Sequence, residues 1–201
     1  MDHSKLLVIY EKLWRATSAA GAFVVYRGVG DVAGEAGWFE PRLDDETGVP
    51  DPEVAVFRRP APDPNSEPTF DRDGSPVSAI ELETELHVLA HEAGHFHSFR
   101  TRGEAWRAYH AAAIARDQVV VAPEPAADFA LRARAALSAQ LTEKQKLLIV
   151  SEEQLAWDFG RELLRDAGLQ DFSRYDESTR RGVHFHRYRL GLDELWPGEE
   201  L

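Results

Sequence analysis

Between Leu86 and His97 the chain reads Leu-His-Val-Leu-Ala-His-Glu-Ala-Gly-His-Phe-His, and the apolar residues Leu82, Leu86, Leu89, Ala90, Ala93 and Phe96 recur at helical spacing. This stretch constrains the chain most, because His91 and His95 can act together only if it is an α-helix. Four residues apart on a helix, two side chains share one face at about 5 to 6 Å, so two imidazoles can converge on a single ion. Glu92 then projects beside the ion, where its carboxylate can take a proton from a metal-held water and hand it to a leaving amine. The absence of cysteine excludes thiolate ligands, a thiolate nucleophile and a disulfide framework, and leaves His and carboxylates as the donors. Zinc suits that donor set. The expectation is a His-Glu-x-x-His zinc site with His91 and His95 as ligands and Glu92 as the catalytic base.

A zinc site that performs chemistry needs a third protein ligand and an open fourth position. The metzincin continuation is excluded, since Ser98 and Thr101 stand where it requires Gly and His. The third ligand is therefore sought on a later helix, in Ser151-Glu152-Glu153-Gln154-Leu155-Ala156-Trp157-Asp158-Phe159-Gly160. Glu153 shares its face with Ile149, Ala156, Trp157, Gly160 and Leu164, and the two small residues permit a close helix approach. Glu152 shares an equally apolar stripe with Leu148, Leu155 and Phe159, so periodicity leaves both open, with Asp128, Glu124 and Glu162 behind them. His87 precedes His91 by one turn but stands about 12 Å of helix rise from His95, too far for one ion, and reads as a core or supporting residue. Gly94 costs about 1 kcal/mol relative to Ala in a helix interior, and so predicts the close approach of another backbone.

Elsewhere the spacing of Leu6, Leu7, Ile9, Tyr10, Leu13 and Trp14 predicts a helix over 6–19 that ends before Gly21. The segments 23–26, 37–39 and 54–57 read as three strands of a meander. A Pro- and Asp-rich loop runs from Arg59 to Pro76, and Ser78 with Glu81 forms a capping-box signal for the motif helix. Helices are expected over 104–115, 126–140 and 143–167, with Thr142 as a cap and Gly168 as a stop. The alternation from Gly182 to Leu190 reads as a short strand or extended arm. His184, His186, Tyr188 and Tyr175 are candidates for donating to a developing oxyanion, with His184 and Tyr188 foremost.

The pairing of His91-Glu92-Ala93-Gly94-His95 with Glu153-x-x-Ala156-x-x-Phe159-Gly160 resembles the two motifs of the ImmA/IrrE-like minimal gluzincins. That resemblance selects Glu153 over Glu152 as the third ligand. It implies an α+β, zincin-like metallopeptidase domain with a short twisted β-sheet beside the His-Glu-x-x-His helix and a second, glutamate-bearing helix. It also implies endopeptidase activity on a protein or peptide substrate. Trp157 stands where the family has a polar residue, and 58 positions separate His95 from Glu153, a longer gap than in the smallest members.

A chain of 201 residues, 43% hydrophobic and 29% charged, has the balance of one globular domain spanning 1–201, with 104–140 as an insert between the two motifs. A formal net charge of -12 argues against nucleic-acid partners. No stretch of about 18 apolar residues and no leader-like start are found, so neither a membrane span nor export is expected and the cytoplasm is the expected location. The competing readings are a catalytically silent zinc-binding interaction module and a zinc amidohydrolase acting on a non-protein amide.

Overall fold

The computed structural model describes residues 2–28, 37–41, 52–58, 71–72, 75–76, 79–121 and 129–194. In chain order they form α1 (His3–Ala19), β1 (Phe23–Gly28), β2 (Gly37–Glu40), β3 (Glu53–Arg58), β4 (Asp71–Arg72), β5 (Ser75–Pro76), α2 (Ala79–Arg102), α3 (Glu104–Asp117), α4 (Phe129–Gln140), α5 (Glu143–Ala167) and α6 (Ser173–Arg189). The α+β class expected from the sequence holds, with helices predominating. None of the described helices is long and apolar enough to cross a membrane. The chain clusters into two compact units, Met1–Thr101 with Ala156–Tyr175, and Arg102–Leu155 with Asp176–Leu201. The 104–140 segment falls in the second.

In the first unit, α1 buries Leu6, Ile9, Tyr10 and Leu13, the face its spacing predicts. It stops where Gly21 turns to a φ of 105°, a left-handed conformation that glycine adopts without steric cost. The sheet is not the expected meander. Its order is β1-β3-β2, with β1 parallel to β3 and β2 antiparallel to it. The reason lies in the composition of β3, since a central strand covered on both faces must be apolar on both. Val54 and Ala55 point to opposite faces and are both fully buried, whereas the neighbouring β1 leaves Phe23 60% exposed. Phe39 of β2 packs on Phe96 and Phe99 of α2, at 6.0 and 5.7 Å between ring centroids, which seats the sheet against the motif helix. Within the long loop, Asp71–Arg72 pairs antiparallel with Ser75–Pro76, a short ladder the Pro-rich sequence concealed. The rest of that loop and the Ser78 cap lie outside the described residues.

The second unit has its core in Ala112, Leu137, Leu141, Ile149, Val150 and Leu190. Helix α5 begins with the expected cap, extended to a full capping box. The Gln145 amide N–H donates to the Thr142 hydroxyl at 3.3 Å, while the Gln145 side-chain oxygen accepts from the Thr142 N–H at 2.8 Å. At the other end of the helix, in the first unit, the Gly168 and Leu169 N–H groups both donate to the Leu164 carbonyl, with Gly168 at a φ of 110°.

Of the segment 182–190, read from its alternation as strand or arm, residues 182–189 are the last part of the 17-residue helix α6. His184 and Tyr188 are both buried, at 8% and 5% exposure, and their i, i+4 spacing fits a helix as well as a strand. Over nine residues a period of 2 and a period of 3.6 share too many positions to be told apart. The deciding features flank the window: the Asp171 carboxylate accepts from the Ser173 N–H at 3.0 Å at the start, and Gly191 ends the helix at a φ of 73°.

Candidate metal centre

Helix α2 lays Leu82, Leu86, Leu89 and Ala90 fully into the core, and this orientation decides where the histidines go. His91 and His95 stand one turn apart with ring centroids 4.7 Å from each other and planes inclined at 73°. The ligand atoms of His91, Glu92 and His95 all lie within 4.8 Å of one another, and among the described residues these three form the group that could hold a metal ion. Two imidazoles and a carboxylate, largely buried, form a donor set suited to a divalent ion that prefers nitrogen and oxygen. The residues present fit a metal.

The close approach expected at Gly94 is present. A Cβ added there would lie 2.8 Å from the carbonyl carbon of Ala156 and collide with its oxygen. One turn along, a Cβ on Gly160 would stand 2.6 Å from the carbonyl oxygen of Ala90. Thus α2 and the C-terminal part of α5 meet main chain to main chain through Ala90, Gly94, Ala156 and Gly160. That contact brings Trp157 over the first histidine of the group: its indole stacks on the His91 ring at 4.4 Å and 27°. The Trp157 carbonyl in turn accepts the Tyr175 hydroxyl at 2.8 Å. Trp157 therefore forms a wall for His91.

His87 does not join this group. Its ring meets Tyr175 edge-on at 5.2 Å and 84°, and burial pulls its pKa from 6.5 down to about 4, opposed by the Glu83 charge and assisted by that of Arg174. The folded protein keeps His87 neutral in the interval where the unfolded chain takes up a proton. Stability should therefore fall as the pH drops from about 6.5 toward 4, by about 2 to 3 kcal/mol from this residue. His87→Phe, which keeps a ring and removes the titration, should flatten that part of the stability–pH curve. Denaturant unfolding of the two proteins between pH 4 and pH 7 checks this, and an unchanged slope would refute it.

Of the other residues singled out from sequence, Tyr175 belongs to the first unit, while Glu153, His184, His186 and Tyr188 belong to the second. Glu153 stands on α5 one turn before Ala156 and Trp157, 4% exposed, with its Oε2 3.4 Å from Nε2 of His186. The adjacent Glu152, 1% exposed, accepts a hydrogen bond from the Arg102 guanidinium. His184 places Nδ1 3.6 Å from Oδ2 of Asp193. The Tyr188 ring lies under the Arg134 guanidinium at 4.7 Å, and its backbone carbonyl accepts from Arg134 at 3.1 Å.

Two neighbours of the motifs are not singled out by the sequence, Arg102 beside Glu152 and Arg116, and His186, expected there only as an oxyanion donor, stands beside Glu153. Burial works against the Arg116 charge, but its hydrogen bond to Asp117 and the charges of Asp117, Tyr109 and Glu153 raise its pKa above the ordinary value. All three are long-range partners, and only the reading of 182–190 as helix would have pointed to His186. No protein family, curated protein or solved structure matches the chain.

Proposed function

We propose that the protein is a zinc-dependent metalloendopeptidase of the gluzincin type that works in the cytoplasm on protein or peptide substrates. The observation that carries this reading is the convergence of His91, Glu92 and His95 within 4.8 Å on a helix fixed by main-chain contact. His91 and His95 would hold the zinc, and Glu153, the residue that the resemblance of the two motifs selects, would be the third ligand. Zinc, when bound, supplies a Lewis acid that acidifies water and polarises a carbonyl. Glu92 accepts the proton of the attacking water and delivers it to the leaving nitrogen. Trp157 keeps bulk water from one face of His91. His184 and Tyr188 are assigned to the developing oxyanion.

Elemental analysis of protein purified without chelator tests the reading. Wild type should carry one zinc per chain, and His91→Ala and Glu153→Ala should lose it or hold it much more weakly. Wild-type protein that takes up no metal even when zinc is supplied would overturn the proposal.

A further inference from the structure

Glu152 and Glu153 are consecutive on α5 and both almost fully buried, at 1% and 4% exposure. Two carboxylates held this close out of water require partners, because desolvation and mutual repulsion both oppose their charged forms. The partners differ in kind. Glu152 is met by Arg102, a guanidinium whose planar fork suits permanent pairing with a carboxylate. Glu153 is met by His186, 3.4 Å from Nε2 to Oε2, with Arg116 contributing charge from α3. An imidazole nitrogen has one N–H to give, and the oxygen it approaches here is Oε2. It can thus orient a carboxylate through one of its oxygens without itself carrying a permanent charge.

His186 is also well placed to hold one orientation. It lies on α6 between His184, whose Nδ1 is turned to Asp193 at 3.6 Å, and Arg187, whose Nε and Nη2 bind the Asp193 carboxylate at 2.7 and 2.9 Å. Beyond them Gly191 closes the helix. The C-terminal turn of α6 is therefore tied down on both sides of His186, and its ring is 27% exposed at the side-chain level while its partner is 5% exposed.

We infer that His186 is a positioning residue for Glu153: by donating Nε2–H to Oε2 it fixes the carboxylate in the orientation required of a metal ligand. The inference rests on the reading of Glu153 as the third zinc ligand. Groups that orient ligands in this way typically contribute about 10- to 100-fold in metal affinity.

The test compares wild type, His186→Ala, His186→Gln and Glu153→Ala. Zinc affinity is measured by competition with a chromophoric chelator, and the visible spectrum is recorded for each protein loaded with cobalt. Expected are a loss of about 10- to 100-fold in zinc affinity in His186→Ala, recovery of most of it in His186→Gln, whose amide can still donate, and a cobalt spectrum altered in the alanine variant alone of the two. A residue that merely supported the fold would change the unfolding midpoint and leave affinity and spectrum where they were. If Glu153→Ala weakens zinc binding and His186→Ala does not, the positioning role is wrong and the ligand reading stands. If Glu153→Ala binds zinc like wild type, the ligand reading falls and His186 has no such role.

Discussion

Glu92→Gln should hydrolyse peptides about a thousandfold more slowly than wild type while binding zinc as tightly, the loss that removal of a general base produces. The substitution keeps the size and most of the shape of a side chain that is only 8% exposed, so the helix and its two histidines are left as they are. What disappears is the capacity to accept a proton and release it again. Cleavage of a quenched fluorescent peptide library, read beside zinc content, separates the roles: His91→Ala should lose metal and activity together, Glu92→Gln activity alone. Undiminished cleavage by Glu92→Gln would show that the hydrolysis comes from elsewhere and would end the peptidase reading.

Gly94→Ala should destabilise the protein by at least about 3 kcal/mol, the upper end of what overpacking costs. On propensity alone the sign would be opposite, because Ala is preferred to Gly in a helix by about 1 kcal/mol. The packing term wins because the methyl group would meet the Ala156 carbonyl, a main-chain group with no rotamer by which to retreat. Gly160→Ala faces the Ala90 carbonyl at 2.6 Å and the Tyr175 hydroxyl, and should follow in the same direction. Urea unfolding of the metal-free proteins decides the matter: a midpoint at or above that of wild type for Gly94→Ala would mean that the two helices do not meet in this way.

How far these features could be read from the sequence depended on how local they are. The His91, Glu92 and His95 cluster follows from i, i+4 spacing on one helix, and so it was legible before any tertiary structure was known. The Thr142 cap and the Gly168 stop of α5 were legible for the same reason. Gly94 announced a close approach, but not its partner, since nothing in the residues around 94 points to position 156. The strand order failed because a meander is the simplest way to join three adjacent strands. The parallel pairing of β1 with β3 follows instead from which strand can be buried on both faces, and that is a property of the whole sheet. In α6, His184 and Tyr188 satisfy two periodicities at once, and that ambiguity conceals the approach of His186 to Glu153.

The seam between α2 and α5 has a consequence for the way such a sequence can drift. Most helix contacts survive substitution because neighbouring side chains shift to take up a new volume. At Ala90, Gly94, Ala156 and Gly160 that freedom is missing, since the contacting atoms belong to the peptide groups themselves. Gly94 and Gly160 have no room for a Cβ, because one at either position would meet the carbonyl of Ala156 or of Ala90, whereas Trp157 meets His91 through its side chain. The spacing of the helices that carry His91, His95 and Trp157 is thus set by main chain at two glycines, while what covers His91 is set by one side chain.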